Sequence, residues 1–179
     1  MAVLDMFETV MQATPLDSDA PLGSRRAVVR YNHGELEMVE LSWGLRPKDT
    51  GGSPFRFVRS EDRVFESNRC LIPASEFHVK VGSKKYRFSL ADGNWFYLAG
   101  IWRRASPDWP ESYAIITVEA NDDVAIYQER QGAVLLRRQR MDWLDHKVPE
   151  EDILVPLPAR SFSVSSLSPS GKAQALLPL

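Results

Sequence analysis

Apolar residues recur along this chain in two rhythms, and each rhythm predicts a different kind of element. Val3, Met6, Phe7, Val10 and Met11 fall at helical spacing, so residues 2–12 are predicted to form an amphipathic helix with those five on its buried face. Residues 13–26 carry prolines, aspartates and a glycine and read as a loop. Residues 27–31 and 36–43 then read as strands around an Asn32-His33-Gly34 turn, with Val39, Leu41 and Trp43 sharing a face. Residues 46–54 return to loop composition.

The second half is richer in strands. Residues 70–80 form one strand in which Pro73, lacking an N–H, implies an edge position or a bulge. Residues 85–90 alternate cleanly, with Tyr86, Phe88 and Leu90 on one side, and Asp92-Gly93 supplies a tight hairpin turn. Residues 95–102 and 113–118 are apolar on both faces, as strands in the middle of a structure are. Asn121 is placed to cap a short helix running to about residue 129, and residues 135–146 suit another helix with Leu136, Arg140, Trp143 and Leu144 on one face. A last strand over residues 162–164 precedes a tail containing Pro169 and Pro178. The predicted fold class is α+β: a mostly antiparallel, curled, barrel-like sheet with a few flanking helices, in a single domain over residues 1–179.

Composition narrows the chemistry. A net charge of −2 argues against an overall basic nucleic-acid binder. Arginines nevertheless cluster at 25, 26 and 30, at 56, 59, 63 and 69, and at 137, 138 and 140, as solvated faces or as a local patch for an anionic partner. No apolar run suits a membrane span, and the start of the chain does not read as a secretion signal, so a cytoplasmic location is expected. One cysteine, Cys70, excludes an internal disulfide or a multi-thiolate metal site, and its apolar strand predicts a buried, inert thiol.

His33, His78 and His146 are predicted in a turn, a strand and a helix end, without a nucleophile elbow or metal-ligand spacing. Each reads as a surface or satisfied histidine. Gly51-Gly52 alone is a weak phosphate-loop signal. No metal or cofactor is implied.

Four ordered segments carry a resemblance. Trp43-Gly44-Leu45-Arg46-Pro47, Arg69-Cys70-Leu71-Ile72-Pro73-Ala74-Ser75-Glu76-Phe77, Leu98-Ala99-Gly100-Ile101-Trp102, and Ile115-Ile116-Thr117 with Ala120-Asn121 are similar to the landmarks of the SOS-response-associated peptidase (SRAP) family. The match is strongest over residues 36–179, and residues 1–35 diverge. The resemblance implies a compact α+β domain with a positively charged groove for single-stranded DNA. It also implies a cysteine at position 2 whose amine and thiol trap abasic sites as a thiazolidine, assisted by an asparagine, a glutamate and a histidine.

Carried over residue by residue, the chemistry is depleted. Ala2, Phe57, Val79 and Gln128 stand where the family's cysteine, asparagine, glutamate and histidine are expected. Ala2 offers at most a reversible Schiff base, and Gln128 does not titrate near neutral pH. Glu76 is a candidate stand-in for the lost carboxylate, but three residues from Val79 on a strand it should point to the opposite face. The binding half persists: Arg59, Glu61 and Arg130 match, and Trp43 and Arg46 join the expected DNA-contacting set, although a strand tryptophan also suits the core. The expected function is non-covalent binding of single-stranded or abasic DNA with the cysteine chemistry impaired or lost. The alternatives are an interaction protein that keeps only the fold, and an enzyme with a substitute nucleophile.

Overall fold

The computed structural model describes residues 2–10, 13–167 and 173–175. Helix α1 (Ala2–Val10) is followed by strands β1 (Thr14–Leu16), β2 (Arg25–Asn32), β3 (Glu35–Trp43), β4 (Phe57–Arg59), β5 (Arg69–Val81), β6 (Lys84–Leu90), β7 (Phe96–Arg103) and β8 (Ser112–Glu119). The chain continues through α2 (Asp122–Ala125), β9 (Arg130–Gly132), β10 (Val134–Leu135), a 3-10 turn at Arg137–Gln139, α3 (Arg140–Leu144), α4 (Glu150–Ile153), β11 (Phe162–Leu167) and β12 (Ala173–Ala175).

The sheet curls because β5 serves two neighbours. It pairs with β2 and with β7, so β2, β5, β7, β8 and β3 close on one another in a ring, while β6, β11 and β12 extend from β5. Alternate residues of the ring strands feed two cores. Val28, Leu41, Ile72, Leu98 and Ile115 pack on one face. Val29, Leu71, Ala99, Ala114 and Ile116 pack on the other, joined by Leu4 of α1, Trp143 of α3 and Ile153 of α4. This is the predicted α+β class, and nine of the twelve strand pairings are antiparallel. The other three, β1–β5, β3–β8 and β4–β8, are parallel.

Two glycines in the landmark segments are dictated by space. A Cβ on Gly100 would lie 2.3 Å from Ile72 Cδ1 and 2.8 Å from the Ala114 carbonyl oxygen, so β7 can approach β5 and β8 only without a side chain there. Gly44 has φ +121°, and a Cβ on it would meet Pro54 at 2.8 Å.

Pro73 sits where the β2 pairing has ended at Leu71 and the β1 pairing begins at Ala74, so its missing N–H costs no ladder bond. The irregularity comes two residues later. Pairing with β7 stops at Ala74 and pairing with β6 starts at Phe77, leaving Ser75-Glu76 as the break that returns Phe77 and Val79 to the same core as Ile72 and Ala74.

Several predicted elements differ. The segment 13–26, expected to be loop throughout, contains β1 and the start of β2. The helix expected to reach residue 129 stops at Ala125, because Glu129 turns back to bond Ala120 and leads into β9. Residues 135–146 are helical only from the 3-10 turn onward, because Val134 and Leu135 are extended against Leu98 and Tyr97 of β7. In α1, Met6 is 68% exposed and Leu4 is buried, so the predicted apolar face is rotated. Glu8 explains the rotation: its carboxylate accepts from the Tyr97 hydroxyl and pairs with Arg137 and Arg140. Met11, Met1 and most of the C-terminal tail lie outside the described residues.

The arginine clusters divide: Arg25, Arg59, Arg63, Arg137 and Arg138 are exposed, as a solvated face is, while others fasten the fold from within. Arg69, buried over the Trp143 ring at 4.0 Å, donates to the carbonyls of Phe65 and Trp143 and to Glu150. Arg30 is buried over Trp102 at 4.2 Å between Glu37 and Glu111. Arg26 holds the carbonyls of Pro15 and Pro73, and Arg56 holds those of Ser18 and Ala20.

Candidate nucleic-acid interface

Strand β8 organises the site by accepting a three-residue strand on each edge near its end. On one edge β4 runs parallel, with Phe57 opposite Ile115 and Arg59 opposite Thr117. On the other, β9 runs antiparallel, with Gly132 opposite Thr117 and Arg130 opposite Glu119. Two segments far apart in sequence therefore bring Phe57, Arg59 and Arg130 around Thr117, and Gln128 precedes β9 on the same rim. The result is an open cleft of about 360 Å³, to which β5 contributes His78. Leu16, Phe77 and Leu98 give it apolar walls.

Arg130 is held in place. Its two terminal nitrogens each lie 2.8 Å from an oxygen of Glu61, and the guanidinium also donates to the carbonyl and hydroxyl oxygens of Thr117 at 2.7 and 3.1 Å. The hydrogen bonds from Arg130 hold the Glu61 carboxyl below the usual carboxylate range, with a further contribution from the Arg59 charge. Arg59 points outward, 71% exposed, with its Nε 3.9 Å from Glu61. The cleft thus presents one fixed and one exposed guanidinium around a single carboxylate. That arrangement suits a ligand anion which displaces or shares Glu61.

The expected site residues divide. Phe57, Arg59, Gln128 and Arg130 converge on this cleft, with Glu61 bound to it. Val79 does not: it is buried in the core. Ala2 opens α1, whose Leu4 packs on the opposite face of the sheet from the cleft's apolar walls. Trp43 is buried, donates its indole N–H to the Arg56 carbonyl, and reaches the cleft only through an edge-on contact with Phe57 at 5.4 Å. Arg46 pairs with Asp108 and lines a separate pocket. Glu76 points away from Val79, as strand parity requires, and does not line the cleft.

His78, which reads from sequence as a surface or satisfied histidine, lines the cleft. Its Nε2 lies 2.7 Å from Glu76, and its Nδ1 has no hydrogen-bond partner among the described residues. The Glu76-Phe77-His78 spacing, which puts acid and imidazole on one side of a strand, is the sequence signal that marks the pair. No thiol or hydroxyl among the described residues is bonded to His78. Cys70 is fully buried, and burial pushes its thiol well above the ordinary range, leaving it protonated and out of reach. Among the described residues no helix is long and apolar enough to cross a membrane, and no group of three or more His, Cys, Asp or Glu is placed to hold a metal ion.

Comparison with known proteins gives a consistent picture. Several solved structures share the fold. A protein of Bordetella bronchiseptica aligns with TM-score 0.67 and 22% identity, covering 92% of this chain and 95% of that one. A protein of Bacteroides thetaiotaomicron aligns with TM-score 0.63 and 17% identity over 83% and 75% of the two chains. A phage-related protein of B. bronchiseptica aligns with TM-score 0.62 and 19% identity over 82% and 79%. At these identities the likeness speaks for the fold alone. None of the curated proteins matches the chain in sequence. The family model described as SOS response associated peptidase (SRAP) matches residues 8–170, nearly the whole chain, and the chain belongs to that family.

Proposed function

We propose that this protein binds single-stranded or abasic DNA non-covalently through the β4–β8–β9 cleft, without the cysteine-dependent chemistry of its family. The observation that carries the reading is the pair Arg59 and Arg130 flanking one open cleft that holds no thiol. A guanidinium matches phosphate oxygens in a two-point contact, and Arg59 is free to move toward a ligand. Phe57 adds a flat apolar surface 43% exposed beside them. The chemistry is missing for separate reasons at each position. Ala2 has no sulfur and starts a helix against the far face, Val79 is sealed in the core, Gln128 carries no titrating proton, and Cys70 is buried.

The test is incubation with a labelled abasic single strand, followed by native and denaturing gels. The proposal expects a complex on the native gel that denaturation removes completely. A band that survives denaturation means that another nucleophile operates. A second reading, an interaction protein that keeps only the fold, is favoured by Glu61, which neutralises the fixed guanidinium in a chain of net charge −2. It expects no complex on either gel.

A further inference from the structure

Beyond the cleft lies a second basic and aromatic pocket that the proposed function does not use. It has a volume of about 300 Å³ and is lined by Arg46, Arg103, Arg104, Phe55, Trp109 and Ser112. Arg46 is paired with Asp108, but Arg103 and Arg104 have no carboxylate within salt-bridge distance among the described residues. Arg103 donates to the Trp102 carbonyl and Arg104 to the Asn32 side chain, both neutral acceptors. The pocket therefore carries an uncompensated positive charge in an acidic protein. Ser112, which borders the pocket, is 1% exposed, and its hydroxyl has no partner among the described residues.

The two pockets are joined by one short stretch of chain. Phe55 lines the second pocket, while Phe57 and Arg59 line the first. At ~3.3 Å per residue, Phe55 and Arg59 are about 13 Å apart along the backbone. Both rings are rigidly presented. Phe55 is tied to Leu45 by a pair of backbone hydrogen bonds of 2.8 and 3.0 Å, and Phe57 is paired to β8 and braced by Trp43. Phe55 is 44% exposed, so its ring is accessible to a ligand.

We infer that Arg103, Arg104 and Phe55 form a second contact site for the same single strand, in which the guanidinia take phosphate and the Phe55 ring stacks a base. Phe55, Phe57 and Arg59 then lead the strand from this site into the cleft. Basic grooves with interleaved aromatic rings bind single strands in this way, because every base has a face to stack and every nucleotide a phosphate to pair. This inference rests on the reading of the cleft as a DNA site.

The experiment is fluorescence anisotropy with labelled oligo(dT) of about 4 to 16 nucleotides, a range set by known single-strand site sizes. It compares the wild-type chain, Arg59→Ala, the double variant Arg103→Ala/Arg104→Ala, Phe55→Ala and Phe55→Leu, each checked for its melting temperature. Phe55→Leu keeps most of the buried volume while removing the aromatic face. The double variant should make the slope of log K against log salt shallower by about 1.4, since each lost contact to a single strand contributes about 0.7. Both Phe55 variants should weaken binding about fivefold or more. Affinity should rise with oligonucleotide length until both pockets are spanned, and the double variant should abolish that rise. If Arg59→Ala weakens binding while the double and Phe55 variants leave affinity, slope and length dependence unchanged, the second site is refuted and the cleft stands. If the wild-type chain binds no oligonucleotide at low salt, both readings fall together.

Discussion

Arg130 and Glu61 meet fork to fork, with both guanidinium terminal nitrogens 2.8 Å from the two carboxylate oxygens, at the rim of the cleft that Phe57, Arg59, Gln128 and Arg130 line. The pair decides how much positive charge the cleft can offer. While Glu61 is ionised it competes directly with a phosphate for the same donors. Glu61→Gln should therefore tighten single-strand binding and steepen its salt dependence by up to about 0.7 in log–log slope. Anisotropy titrations of the two proteins at several salt concentrations check this, and weaker binding by the variant would count against Glu61 as a competitor.

The same pair gives an acid dependence of stability. Because Arg130 holds the Glu61 carboxyl below its ordinary value, the folded state binds that proton less readily than the unfolded chain. The resulting stabilisation is fully present above the ordinary glutamate range and is lost as pH falls through the lowered value. Glu61→Gln should remove this increment, so that the difference in melting temperature between the two proteins shrinks on acidification.

Arg69 illustrates how the family's landmark segments serve the fold. Its guanidinium is buried and serves Phe65, Trp143 and Glu150 at once. Among the described residues, removing it leaves the Glu150 carboxylate without a counter-charge, held only by the Phe65 N–H, and deprives two carbonyls of a donor. Arg69→Ala should cost about 3–5 kcal/mol, read from urea or guanidinium unfolding. Arg69→Lys should recover only part of this, since an ammonium cannot reproduce the three-way fork.

Cys70 gives a clean negative. Its burial predicts no modification by a thiol reagent in the native protein at mildly alkaline pH and complete modification in denaturant, measured by intact mass. Gly100→Ala, one strand away, should destabilise by about 1–3 kcal/mol or more, because its Cβ would enter space held by Ile72 and the Ala114 carbonyl.

Much of this architecture is legible from local pattern. Tyr86, Phe88 and Leu90 share the face their alternation predicts, as do Val39, Leu41 and Trp43. What local pattern misses is decided by distant partners. The three-residue strands β1, β4 and β9 are too short to show a period, and they exist because β5 and β8 have free edges for them. Val134 and Leu135 have apolar neighbours at helical spacing, yet pairing with β7 outweighs local propensity.

The site divides along the same line. Phe57, Arg59 and Arg130 meet because β4 and β9 flank β8, and Gln128 joins them from the turn that precedes β9. Ala2 and Trp43 do not join them, since Leu4 anchors α1 to the opposite face and Trp43 fills the core. The second basic pocket is not legible in the sequence, because the Leu45–Phe55 bridge and residues from 103 to 112 come together only in the folded chain.

The most direct test of the central claim is the salt dependence of single-stranded DNA affinity for the wild-type chain and Arg59→Ala, each at matched protein stability. Non-covalent binding through the cleft predicts measurable affinity at low salt, a fall in log K with log salt, and a slope about 0.7 shallower in the variant. An affinity indifferent to salt, or unchanged by Arg59→Ala, would contradict it.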